Sequence, residues 1–97
     1  MQADSVVLAA GANQVIVAAT PLNHNGGQLY SVTAVAAGNA TTVTVSEITS
    51  GRVLAVINAA ANTSEEWVAG NQHGVGWQGG LQATVAGASG QGVVVYT

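Results

Sequence analysis

Thr42, Thr44 and Ser46 stand between Val43 and Val45 in the stretch 41–48, and this alternation admits one regular conformation. A period of two puts polar side chains on one side of an extended chain and apolar ones on the other. A helix would need its apolar residues to recur near every 3.6 positions, and here they do not. The rest of the chain repeats the theme in short segments separated by turn residues, the punctuation of strands.

The spacing predicts strands over 5–9, 14–20, 28–36, 41–48, 53–58, 81–86 and 92–97. Gly11-Ala12-Asn13 closes the first, and Pro21 followed by Asn23-His24-Asn25-Gly26-Gly27 ends the second. In the third, Tyr30, Val32 and Ala34 share a face while Ser31 and Thr33 point the other way. Gly38-Asn39 turns the chain into the fourth. Thr49-Ser50-Gly51 returns it into 53–58 as a hairpin, and Val53-Leu54-Ala55-Val56-Ile57 lacks alternation, which predicts a strand covered on both faces. Residues 59–80 are less regular. Thr63-Ser64-Glu65-Glu66 before Trp67 fits either a capped helical turn or a short strand through Glu66-Trp67-Val68, and 71–80 is Gly-rich and loop-like. Gly87-Ala88-Ser89-Gly90 is a turn. Seven or eight short antiparallel strands in one domain, 1–97, predict an all-β β-sandwich or jelly roll, with an open barrel as the alternative.

Such a domain has little to hold it together. Hydrophobic residues make up 48% of the chain, but there is no Phe and the apolar set is mostly Val and Ala. A buried Val contributes roughly 1.5–3 kcal/mol, an Ala much less, while ordering each residue's backbone costs about 1–2 kcal/mol. Cysteine is absent and no metal cluster is visible, so the usual staples of a small domain are missing. Association with other chains is the remaining source of buried area.

Charge points the same way. Only 5% of residues are charged, against roughly 25% in ordinary soluble domains: Asp4, Glu47, Glu65, Glu66 and Arg52. Either Thr, Ser, Asn and Gln alone hydrate the surface, or neighbours cover much of it. With net charge −3 and a single Arg there is no basic footprint, so nucleic acid is excluded as a partner. No apolar run approaches the ~20 residues of a membrane helix, so no membrane partner is expected. Met1-Gln2-Ala3-Asp4 lacks the positive region of a secretory signal.

Catalytic patterns dissolve on inspection. Gly74-Val75-Gly76-Trp77-Gln78-Gly79 spells a dinucleotide fingerprint, but a β-patterned segment follows it where a helix is required. Ser89 sits in a turn without the glycine spacing of a nucleophile elbow. His24 and His73 are loop residues without further ligands for a metal. Glu65 and Glu66 are adjacent, and on a strand adjacent residues face opposite ways, which defeats paired acid–base work. Asn39-Ala40-Thr41 and Asn62-Thr63-Ser64 match glycosylation acceptors, as chance allows in a chain rich in Asn, Ser and Thr. No enzyme, cofactor or metal is expected.

Three residues remain as candidates for an interface. Trp67 and Trp77 are the largest apolar groups and would anchor whatever they touch. Trp77, between Gly76 and Gly79, has little local packing and is expected to reach outside the domain. Trp67 beside Val68 is expected to pack internally. Arg52 follows the Gly51 turn and faces Glu47, where a weak exposed pair worth about 0–1 kcal/mol is the default.

Gly27-Gln28-Leu29-Tyr30-Ser31-Val32, the Thr/Val strand 41–45, Gly79-Gly80-Leu81-Gln82-Ala83-Thr84-Val85-Ala86-Gly87 and the terminal Val93-Val94-Val95-Tyr96-Thr97 resemble small virion proteins of tailed bacteriophages. Members of that group are β-sandwich proteins that decorate or cement the capsid or form small parts of the tail. The resemblance implies a homo-oligomeric structural protein of the virion, with itself and the major capsid or other virion proteins as partners. It carries over no site residues, and the chain departs from many such proteins in lacking charged turn residues. The alternative is a carbohydrate- or receptor-binding module whose loops present Trp67, Trp77, Asn71 and His73.

Overall fold

Backbone pairing in the computed structural model, described here for residues 3–19, 26–70 and 74–97, follows the period-two pattern throughout. Nine strands succeed one another: β1 (Asp4–Ala9), β2 (Gly11–Val17), β3 (Gly26–Val35), β4 (Thr41–Glu47), β5 (Val53–Ala59), β6 (Ser64–Val68), β7 (Val75–Gln78), β8 (Leu81–Ala86) and β9 (Gln91–Tyr96). The described residues contain no helix. One sheet runs β1-β9-β3-β6, with β7 also on β3; the other runs β2-β8-β4-β5. Every pairing is antiparallel.

Pairing the chain from its ends inward gives β1 with β9, β2 with β8, β3 with β6 and β7, then β4 with β5, and successive pairs fall in alternate sheets. A long hairpin rolled in this way is a jelly roll. The expected all-β sandwich is therefore what forms, with more strands than the seven or eight predicted.

The extra strand comes from one interrupted edge. β6 pairs with Ser31–Val35 and β7 with Gly26–Leu29, so the two lie end to end along the same side of β3. Ser31 faces Val68 and Leu29 faces Val75, which leaves Tyr30 alone opposite the excursion between β6 and β7. The Ala69 N–H still donates to the Tyr30 carbonyl at 2.9 Å. Of the two readings of Ser64–Val68, the strand is correct. Thr63 Oγ1 donates to the Ala60 carbonyl at 2.7 Å, closing a turn through Asn62 at φ 62° rather than capping a helix. The Gly-rich stretch read as loop holds β7, and Gly79 and Gly80, at φ 77° and 92°, make its turn into β8. A strand occupies the would-be dinucleotide loop.

Three further expectations are corrected. Gly11 to Asn13 belong to β2 instead of a turn, with Asn13 at φ 50° in an irregular pairing with β8. Tyr30 does not share the inward face of Val32 and Ala34; the bulge at Tyr30, visible as a register shift against β9, turns Leu29 inward instead. β5 is not covered on both sides: it is an edge strand, and Val53 and Val56 are 55% and 49% exposed.

The core lies between the sheets and is built of small side chains. Leu8, Leu29, Val32, Ala34 and Val94 face Val43, Val45, Ala55, Leu81, Ala83 and Val85, with Trp77 as the one large group fully inside. Gly27 is needed beside it, because a Cβ there would overlap the Thr97 carbonyl and crowd the Trp77 ring at 3.2 Å.

Candidate interaction surface

The predicted anchors are not brought together: Trp77 lies opposite Gly27 at one end of β3 and Trp67 opposite Val32 near its middle, while Arg52 reaches the β7 end. Trp77 on β7 pairs with Gly27, and the missing side chain opposite leaves its indole free to turn inward. It is 5% exposed and belongs to the core, so the expectation that it reaches outside the domain is corrected. The flanking glycines that suggested poor packing instead let β3 and the C-terminal Thr97 approach the ring. The Trp77 Nε1–H has no hydrogen-bond partner. Trp67 on β6 is half-buried and packs against the core from the sheet edge.

Arg52 and Glu47 are not a weak exposed pair. Glu47 ends β4 with its inward-facing side chain 6% exposed. Arg52 Nε donates to its Oε1 at 3.2 Å and Nη2 to its Oε2 at 3.1 Å, a bidentate bridge in which the arginine remains largely in solvent. Ser50 Oγ donates to Oε1 at 2.6 Å and the Gln78 N–H to Oε2 at 2.8 Å. Arg52 Nη2 also donates to the Gly76 carbonyl at 2.7 Å. The hydrogen bonds from Ser50 and then from Arg52, helped by the Gln78 N–H and the guanidinium charge, hold the Glu47 carboxyl below its ordinary range, against the opposing pull of burial. Its four hydrogen bonds are structural: they tie the β4–β5 turn to β7 of the other sheet.

No catalytic or metal arrangement emerges among the described residues. No group of three His, Cys, Asp or Glu side chains lies close enough to hold an ion. Glu65 and Glu66 fall on β6, opposite Ala34 and Thr33, and so point to opposite faces. Ser89, at φ 62°, is a turn residue. His24, His73 and Asn71 lie outside the described residues.

The outward faces of the two sheets differ sharply. Register places Ser5, Val95, Ser31 and Val68 in one outer row of the β1-β9-β3-β6 sheet, Val7, Val93, Thr33 and Glu66 in the next, and Ala9, Gln91, Val35 and Ser64 in the third. Val93 and Val95 stand at the centre of this face, Val35 beside them, and Val7 and Val68 at its two margins, 63% and 61% exposed. Glu66 is the one charged side chain in these rows, and it accepts a long 3.5 Å hydrogen bond from Thr33.

The outer rows of the other sheet read Val15, Gln82, Ser46 and Val53, then Thr84, Thr44 and Val56, then Ala86, Thr42 and Asn58. Their centre is hydroxyl and amide, knit together by bonds such as Thr42 Oγ1 to Asn58 Oδ1 at 2.6 Å. The first face thus has Val93, Val95 and Val35 at its centre among Ser31, Thr33 and Gln91, whereas the second keeps its valines, Val15, Val53 and Val56, at its margins.

Sequence reasoning missed the apolar face, although Val93-Val94-Val95 carried the signal. An unbroken valine run in a strand puts apolar side chains on both sides. Only the register shows that Val94 points into the core and its neighbours outward.

Comparison of the chain with family models, with curated proteins and with solved structures finds no match.

Proposed function

We propose that this chain is a structural subunit of a virion, a capsid decoration or cement protein of the bacteriophage type. It is present in many copies and binds the major capsid or other virion proteins through its apolar outer face. The observation that carries the reading is the contrast between the centres of the two outer faces: Val35, Val93 and Val95 among Ser31, Thr33 and Gln91 on one, Thr, Ser and Gln with the small Ala86 on the other. A charge-poor chain has little besides apolar contact with which to attract a partner. The rolled topology, which shell proteins share with lectins and other proteins, supports the reading at the level of fold alone.

The mechanism is passive. The valine face covers the seam between shell subunits, and the area it removes from water resists the parting of that seam. The hydroxyl face stays in solvent. The sugar-binding alternative loses Trp77 from its proposed platform, since that indole lies inside the domain, while Asn71 and His73 lie outside the described residues.

Density-gradient fractionation of particles from the natural source, probed with an antibody to the chain, tests the proposal. The chain should band with the particles, and Val93→Asp should move it to the soluble fraction while leaving it folded. A chain found only in the soluble fraction at every stage of particle assembly rules the role out.

A further inference from the structure

We infer that two copies of this chain pair through β1, antiparallel about a twofold axis at Val7, to make one continuous sheet eight strands wide. An edge strand offers a row of unpaired N–H and C=O groups to any chain that can lie alongside, and proteins ordinarily block such edges with charges, bulges or cover. The sandwich has four edges, β1, β2, β5 and one shared end to end by β6 and β7, and all five well-exposed large apolar residues among those described, Val7, Val15, Val53, Val56 and Val68, lie on them. Three of the four edges are obstructed.

On β6, an antiparallel self-pairing centred on the middle residue would set Glu66 against its own copy, with Glu65 beside it on each strand. β5 is bent by a register shift against β4 at Leu54, between its pairings Ala55 with Val45 and Val53 with Ser46, and the charged Arg52 stands just before its start. β2 is broken by register shifts between Gly11 and Gln14 and between Val15 and Val17, and Asn13 at φ 50° bends it. β1 carries no bulge and no charge between Asp4 and its end, and only the Ala9 carbonyl at that end is capped, by Gln14 Nε2 at 2.6 Å. It pairs with β9 in unbroken register from Asp4 to Ala9, and no strand among the described residues covers its other side. From residue 5 to residue 46 the chain contains no Asp, Glu, Lys or Arg, so neither β1 nor β2 behind it repels a copy of itself.

The register follows from the pleat. Residues opposite one another share a face, so a twofold axis that keeps both outer faces on one side must pass through a residue pair, Val7 with its own copy. Ser5 then faces Ala9 of the partner subunit, and Val6 faces Leu8 of the partner subunit. The two Asp4 carboxylates stand about 20 Å apart along the strands, well beyond the ~8 Å screening length of physiological salt.

Pairing doubles the face that a partner would meet. Four strands at about 4.8 Å spacing and five residues at about 3.4 Å rise make a face of roughly 300–350 Å² on one copy. A specific interface needs about 800 Å² per partner. Two copies joined at β1 present their valine rows side by side on one surface of roughly 700 Å², near that requirement. The pairing itself needs no shell; the use of the doubled face rests on the proposed role.

The absence of cysteine makes the test clean. Single substitutions Val7→Cys, Val15→Cys and Val68→Cys place one thiol at sites of equal exposure, 63%, 59% and 61%. Under mild oxidation Val7→Cys should give a covalent dimer at least tenfold faster than the other two. Light scattering should show a wild-type dimer and a Val7→Lys monomer with an unchanged circular dichroism spectrum. Equal cross-linking at all three sites, a wild-type monomer from micromolar to millimolar concentration, or a Val7→Lys chain that keeps the dimer mass overturns the pairing. A Val7 dimer that never bands with particles overturns the virion role alone. A chain that bands with particles without a Val7 cross-link overturns the pairing alone.

Discussion

The Gln78 N–H donates to the Glu47 carboxylate at 2.8 Å, and in doing so it joins the two sheets, since Glu47 ends β4 and Gln78 ends β7. Two sheets that share a core of Val and Ala gain little lateral grip from packing alone. A carboxylate that fastens a turn of one sheet to a strand of the other fixes their relative position at that end.

Removing this carboxylate should therefore cost more than removing its cation. Glu47→Ala leaves the Gln78 N–H and the Ser50 hydroxyl without their acceptor, and a loss of about 2–3 kcal/mol is expected. Arg52→Ala leaves the carboxylate two good donors, and because the arginine is largely in solvent its loss should cost about 1 kcal/mol. Urea unfolding of both variants measures the order; a costlier Arg52→Ala would contradict it.

Acid should weaken the same joint. The folded-state Glu47 carboxyl is held below its ordinary range, so its contribution is complete above the unfolded value of about 4.3 and fades as pH falls through the lower folded value. Thermal unfolding between pH 7 and pH 2.5 should show a decline in the melting temperature that begins near pH ~4.3. In Glu47→Gln that acid limb should be shallower, and an unchanged slope would assign the acid response to other carboxyls.

Trp77 fills the core but leaves its Nε1–H unpartnered, so volume and polarity act in opposition there. Trp77→Ala should cost about 3–5 kcal/mol and leave little folded protein. Trp77→Phe removes the orphaned donor along with part of the ring, and should cost less than half as much. Calorimetry of the two variants decides this, with Trp67→Ala, at the sheet edge, falling between them.

The two outer faces should respond differently to charge. Val95→Lys and Thr44→Lys both place an ammonium at the centre of an exposed sheet face, and each should change stability by less than about 1 kcal/mol. Val95→Lys should abolish association with particles, whereas Thr44→Lys should leave it intact. Equal effects in a co-sedimentation assay would remove the distinction between the faces.

Moderate salt should leave the association unchanged, because Glu66 is the one charge on the apolar face and exposed charges are screened beyond about 8–10 Å. Loss of bound protein on raising ionic strength would mean that charges hold the contact.

Local pattern determined the strand content, because alternation is a property of neighbouring residues. Thr41 to Glu47 and Leu81 to Ala86 lie where the period of two placed them, and the 4–5 hairpin follows from its turn. The scarcity of charge and the poverty of the core were equally plain in composition. What only the tertiary structure decided depended on partners distant in the chain. The bulge at Tyr30, where the pairing with β9 shifts register and the Ala69 N–H donates to the Tyr30 carbonyl, put Leu29 in place of Tyr30 on the inward face with Val32 and Ala34. Gly27 and Thr97 made room for Trp77, turning a supposed contact residue into core. Glu47 became a buried acceptor only when Gln78, 31 residues away, came within reach. In the run Val93-Val94-Val95 both sides of the strand are apolar, so sequence could not say which side was the core. That was settled by the side of β9 on which the second sheet packs, which puts Val94 in the core with Val43 and Val85 and leaves Val93 and Val95 on the outer face.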